Sequence, residues 1–115
     1  MITLIHNNAC SKSNCVLNYL KENSIPFTLR DYLAKPLSIE EITVLLQKLK
    51  VRPLDIIRQK EPVFQQLFSA AQNDEQLIQA IADHPGILER PILISEDAAV
   101  IGRPFEVAIE FCSKR

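Results

Sequence analysis

The sequence predicts an α/β fold: one mixed sheet of four strands, interrupted by a helical insertion over residues 38–83. Three observations carry that expectation. A short apolar run, a polar turn and a helical stripe open the chain, capping signals succeed one another through its middle, and two short β-rich runs precede a last helical stripe. Residues 2–5 are the first run, ending at His6-Asn7-Asn8, after which Val16, Leu17, Tyr19 and Leu20 recur at helical spacing as far as Asn23. Asn23-Ser24-Ile25-Pro26 stops that helix, and residues 27–32 alternate apolar and polar side chains as a half-buried strand does. A helical crossover between the two strands implies that they are parallel. The turn over residues 7–13 then lies at the carboxyl end of the first strand, where open α/β sheets place their ligands.

The middle of the chain reads as helix. Ser38 with Glu41 forms a capping box ahead of Ile42, Leu45, Leu46 and Leu49 on one stripe. Pro53 is well placed as a first helical residue, with Leu54, Ile56 and Ile57 behind it and Arg58 pointing elsewhere, and Pro62 is expected to break that turn. Asn73 and Gln76 repeat the box before Leu77, Ile78, Ala80 and Ile81, and His84-Pro85-Gly86 closes the helix. Residues 91–94 and 99–101 flank a Glu96-Asp97 turn as a β-hairpin. Pro104 opens a last helix in which Ala108, Phe111 and Cys112 share a face, so Cys112 reads as a small core residue. The loops at Ala34-Lys35-Pro36 and Gln72-Asn73 are the linker-like segments, and neither breaks the chain into separate domains.

Composition narrows the function. A chain of 115 residues, 47% hydrophobic, is the size of one domain that buries its own core. Thirteen basic residues nearly cancel fourteen acidic ones with no basic run, which argues against a nucleic-acid or anionic-membrane partner. The opening Met1-Ile2-Thr3-Leu4-Ile5 has no cationic flank and is too short for a signal peptide or a span, so a cytoplasmic protein is expected. Three cysteines, an odd number, suit reactive or core thiols better than a disulfide framework, and with two histidines they lack the paired spacing of a zinc site.

Cys10 is the residue on which chemistry would centre. At a strand-to-helix turn, unpaired N–H groups and the helix dipole favour a thiolate, and Lys12 and His6 are near in sequence. A buried structural cysteine is the competing reading. The polar flanks Asn7, Asn8, Ser11, Lys12 and Ser13 favour exposure. Cys15 is a poor resolving partner, because five residues of helix separate Cα atoms by roughly 8–9 Å, whereas a disulfide spans about 4.4–6.8 Å. Helix packing therefore ranks ahead of a redox role for Cys15. His6, at the strand end, either assists the thiolate or simply caps the strand. Arg58, Arg90 and Arg103 stand beside prolines or at helix ends. Taken singly they are surface charges; brought to the Cys10 turn they would form a set of guanidinium forks for a tetrahedral oxyanion.

Four segments resemble the glutaredoxin-coupled arsenate reductase family: His6-Asn7-Asn8-Ala9-Cys10, Arg58-Gln59-Lys60-Glu61, Glu89-Arg90-Pro91-Ile92 and Ile101-Gly102-Arg103-Pro104. The resemblance runs over residues 2–111 and implies a thioredoxin-like fold of glutaredoxin type with a helical insertion. It also implies a reaction in which Cys10 attacks arsenate held by Arg58, Arg90 and Arg103, with His6 tuning the sulfur. Glutathione, as co-substrate, and glutaredoxin then supply the electrons, and no bound cofactor or metal is implied. Pro91 matches the proline that is cis in such folds. Asn8 stands where the family pattern has proline, and Asn14 where many relatives carry a basic residue. The other reading is a non-catalytic protein-binding or redox-switch regulator, like the family's transcription regulators. Those commonly carry Cys-x-x-Cys, and Cys10-Ser11-Lys12-Ser13 lacks it.

Overall fold

A computed structural model of the chain describes residues 1–67 and 73–114; Gln72, half of one linker-like segment, lies outside the described residues. Two compact units are present, one made of Met1–Lys35 with Arg90–Arg115 and the other of Pro36–Glu89.

The first unit holds the sheet. Its strands are β1 (Ile2–His6), β2 (Phe27–Asp31), β3 (Ile92–Ile94) and β4 (Ala99–Ile101), in the order β2-β1-β3-β4. β1 pairs parallel with β2 and antiparallel with β3, and β3 with β4 closes the expected hairpin, so the sheet is mixed. Two helices complete the unit, α1 (Ser11–Glu22) and α5 (Phe105–Ser113). On one face Ile2, Leu4 and Leu93 meet Val16 and Leu20 of α1 and Ala108, Phe111 and Cys112 of α5 in a single apolar cluster. The alternating side-chain direction of β1, which sends Ile2 and Leu4 to one face, and the i, i+3, i+4 face of α5 both deliver side chains to that layer. The core role expected of Cys112 holds.

β2 is less buried than its alternation suggests. It is an edge strand paired only with β1, and three of its five residues, including Leu29, are exposed. The helix before it ends at Glu22 with Asn23 as its cap; Ser24, next in the chain, takes a positive φ of 53° without being glycine, while Ile25 N–H returns to the Leu20 carbonyl.

The second unit is helical, with α2 (Ile39–Leu49), α3 (Pro62–Leu67) and α4 (Asp74–Asp83), plus 3-10 turns at Pro53–Ile56 and Pro85–Ile87. Ile42, Leu45 and Leu46 of α2 and Leu77, Ala80 and Ile81 of α4 are its buried faces, and the two helices pack together. The turn opened at Pro53 ends at Ile56, before Pro62, and Pro62 itself starts a further helix: with no N–H to lose at a first-turn position, proline begins α3.

Both capping boxes form. Ser38 Oγ accepts the Glu41 N–H at 3.1 Å while Glu41 Oε1 accepts the Ser38 N–H at 3.0 Å, and Asn73 and Gln76 do the same for α4. Ser38→Ala therefore lowers the unfolding free energy by about 1 kcal/mol, measured in urea. Glu41→Gln, which keeps the reciprocal acceptor, changes it far less.

Candidate active site

β1 ends by delivering His6, and the chain turns sharply over the next four residues. Asn7 Oδ1 accepts the Ala9 N–H at 2.9 Å and the Asn7 carbonyl accepts the Cys10 N–H at 3.0 Å, a side-chain-assisted turn that needs no glycine. Cys10 is the N-cap residue of α1 in extended conformation, and its carbonyl accepts the Asn14 N–H at 3.0 Å. The sulfur thus sits at the free N–H groups of the first helical turn.

Contrary to the expectation from its polar flanks, Cys10 is buried, 7% exposed. The cover is not an apolar lid. Arg103, some ninety residues on, donates from Nη2 to Cys10 Sγ at 3.5 Å, and its Nε donates to the Arg90 carbonyl at 2.7 Å. Burial pushes the Cys10 thiol up. The Ser13 amide, the Arg103 guanidinium, the charge of Arg90 and the Lys12 amide together outweigh it, so the thiol lies below its ordinary value. Arg90 is half-buried, and its Nε and Nη1 are buried with no hydrogen-bond partner among the described residues. Of the five N–H donors on this fixed planar fork, the three on Nε and Nη1 are dry and uncommitted, chemistry suited to an oxyanion. Both Arg90–Pro91 and Arg103–Pro104 are cis peptides, the first in line with the resemblance.

His6 is buried and does not contact the sulfur through either ring nitrogen. Nδ1 lies 2.6 Å from Ser13 Oγ and Nε2 lies 2.7 Å from Asn8 Oδ1, while Ser13 Oγ also accepts the Asn7 N–H at 3.1 Å. Its link to Cys10 runs through the backbone of Ser13. Ser13, fully buried at the first turn of α1, is the site residue that sequence reasoning missed. The signal was present, since a serine on the buried stripe with Val16 and Leu20 must spend its hydroxyl on a polar partner.

The structure brings Cys10, Arg90 and Arg103 together in the first unit. Arg58 belongs to the second, where its Nη1 pairs with Glu61 Oε1 and its backbone N–H donates to the Ile87 carbonyl at 2.6 Å. Cys15 is exposed, which overturns the packing role expected of it: the buried stripe of α1 is Ser13, Val16 and Leu20, and Cys15 falls outside it. All three cysteines are free, and burial pushes Cys112 up. Among the described residues, no three histidine, cysteine or acidic side chains group to hold a metal ion, and no helix is long and apolar enough to cross a membrane.

The chain is similar to several known proteins over nearly its full length. It is 35% identical over 108 residues to an arsenate reductase of Neisseria meningitidis serogroup A, covering 91% of this chain and 92% of that one. It is 36% identical over 104 residues to the global transcriptional regulator Spx 1 of Bacillus cereus, covering 89% of this chain and 79% of the regulator. The solved structure of the arsenate reductase from Vibrio cholerae superposes with a TM-score of 0.89 at 34% identity, covering 95% of each chain. The family model described as the ArsC family matches residues 5–111, from the middle of β1 to the buried face of α5. With a mixed thioredoxin-like sheet, a cysteine at the strand-to-helix turn and arginines beside two cis prolines, the chain belongs to the ArsC family.

Proposed function

We propose that the protein is an oxidoreductase that reduces arsenate or a similar oxyanion, with Cys10 as nucleophile and glutathione and glutaredoxin as electron donors. One observation carries the reading: Cys10 Sγ lies 3.5 Å from a guanidinium nitrogen of Arg103, beside a second arginine with two dry, unpartnered guanidinium nitrogens. A soft thiolate and charge-assisted donors at one place are what attack on a tetrahedral anion requires. In this reading Arg90 and Arg103 hold the anion, and Arg58 is assigned to it on the family resemblance alone.

The Cys10 thiolate attacks arsenic, an S–As bond forms, and one arsenate oxygen leaves with protons as water. Glutathione adds to the arsenic adduct with loss of a second water. The glutaredoxin thiolate then takes the glutathione sulfur as a mixed disulfide, and the electron pair of the broken S–As bond stays on arsenic, which falls from the pentavalent to the trivalent state. Water finally cleaves the Cys10–arsenic bond, releasing arsenite and the free thiol. An external resolving thiol suits a chain whose exposed Cys15 lies five residues from Cys10 on a helix. Position 13, where Cys-x-x-Cys would put a second thiol, is a buried serine bound to His6, which counts against a disulfide switch.

Arsenate-dependent oxidation of NADPH, coupled through glutathione reductase, glutaredoxin and glutathione, tests the proposal. Turnover is expected for the wild type and for Cys15→Ser, and none for Cys10→Ser. Equal rates in wild type and Cys10→Ser, or no turnover in either while the chain captures RNA polymerase, would replace the enzyme with the regulator.

A further inference from the structure

The Cys10 turn contains a side chain whose position nothing above explains. Asn8 is exposed, yet its Oδ1 lies 2.7 Å from Nε2 of the buried His6. Its carbonyl accepts the Asn14 Nδ2–H at 2.8 Å, so Asn14, from the second residue row of the first turn of α1, clamps the backbone that presents Asn8.

The proton count in the network is closed. Ser13 Oγ already accepts the Asn7 N–H, so its own hydrogen is free to be donated to His6 Nδ1. The ring proton then resides on Nε2, where Asn8 Oδ1 accepts it. Remove that acceptor and the Nε2 proton loses its partner, which leaves Ser13 alone to favour this tautomer. With the ring proton on Nδ1 instead, His6 would donate to Ser13 Oγ, which already receives the Asn7 N–H, and the serine hydrogen would have to find another acceptor in a fully buried place. Ser13 is also the residue whose amide does most to favour the Cys10 thiolate.

We infer that Asn8 is a positioning residue for Cys10: it fixes the tautomer of His6, which holds Ser13 and thereby aims the first turn of α1 at the sulfur, with Asn14 keeping Asn8 in place. The inference deepens the proposed function, because it rests on Cys10 being the reactive thiol, but it does not depend on which oxyanion is reduced.

The test uses the full chain and two readouts, the rate of Cys10 alkylation by iodoacetamide against pH, followed by mass spectrometry of the Cys10 peptide, and the ¹⁵N shifts of the His6 ring. In the wild type, alkylation rises at a lower pH than for an ordinary thiol and the ring reports the Nε2–H tautomer. In Asn8→Ala, alkylation at neutral pH falls about threefold and the ring signals move towards a tautomer mixture. Asn8→Asp, which keeps an oxygen acceptor, restores the tautomer. Asn14→Ala gives a smaller change in the same direction. A shifted wild-type profile that Asn8→Ala leaves in place, with the ring unchanged, overturns the inference and leaves the proposed function standing. An ordinary profile in the wild type overturns both.

Discussion

Arg103→Ala moves the alkylation profile of Cys10 in two directions at once. The rise shifts to higher pH, because the mutation removes the guanidinium that donates to Sγ at 3.5 Å and whose Nε anchors to the Arg90 carbonyl. A hydrogen bond to a charged group contributes about 1.5–3 kcal/mol where it is dry, and because Arg103 is itself exposed the lower end applies. That is about a tenfold loss of thiolate at any pH below the wild-type thiol's value. The remaining thiolate is intrinsically more nucleophilic, and with a Brønsted slope near one half it recovers about threefold. The rate on the acid side of the profile therefore falls about threefold, while the plateau at high pH rises by a similar factor. An unfolded chain with an ordinary thiol would cross the wild-type profile as well, so far-UV circular dichroism of Arg103→Ala, expected to match wild type, accompanies the measurement.

The same variant changes the pH dependence of stability. A thiol whose folded value lies below its unfolded one stabilises the fold above the unfolded value, about 8.5, and loses that contribution as pH falls through the lowered folded value. Arg103→Ala narrows the window, so its stability deficit against wild type is largest in mild alkali and shrinks towards acid. Arg103→Lys keeps the charge without the fork, cannot hold both Arg90 and the sulfur, and falls between the two. A profile for Arg103→Ala that superposes on wild type at both ends would remove the arginine from the site.

Local signals wrote most of the fold in advance. The capping boxes at Ser38 and Asn73, the strand and turn before α1 and the hairpin of β3 and β4 each depend on residues within a few positions of one another. Side-chain burial is less legible than the elements, for a nonlocal reason at Cys10 and a local one at Cys15. Polar neighbours made Cys10 look exposed, but its cover is a side chain 93 residues away, which no window along the chain can sense. Cys15 was assigned to packing because it precedes Val16 and Leu17, yet one residue is 100° of helix, enough to carry it off the buried stripe. Pro26 and Pro85 made two helix ends legible, but no glycine marks the left-handed positions, which are Ser24 and Lys50. His6 was legible as a site residue, but its partners were not, since imidazole offers two nitrogens and the sequence names neither acceptor nor donor.

The largest effect on stability falls on Leu93. It is fully buried on β3, facing Leu4 and Val100 across the two ladders, inside the cluster that joins the sheet to α1 and α5. Leu93→Ala removes three buried carbons and leaves a cavity that the neighbouring strands cannot close, which costs about 2–5 kcal/mol in urea unfolding. Leu29→Ala on the exposed edge strand is the control, within about 0.5 kcal/mol of wild type. Gly102 separates cavity from strain. Its φ is not positive, so glycine is there for space: an added Cβ would sit 3.2 Å from Pro91 Cγ, 3.5 Å from Ala108 Cβ and 3.6 Å from Leu93 Cδ1. Gly102→Ala alone costs about 1 kcal/mol through overpacking. In the Leu93→Ala background the new methyl gains room on the leucine side but still meets Pro91, so the pair couples favourably by about 0.5 kcal/mol and no more. A full rescue would mean that Leu93, and not the ring of Pro91, is what confines Gly102, and a loss below about 1 kcal/mol for Leu93→Ala would deny that this layer is the unit's core.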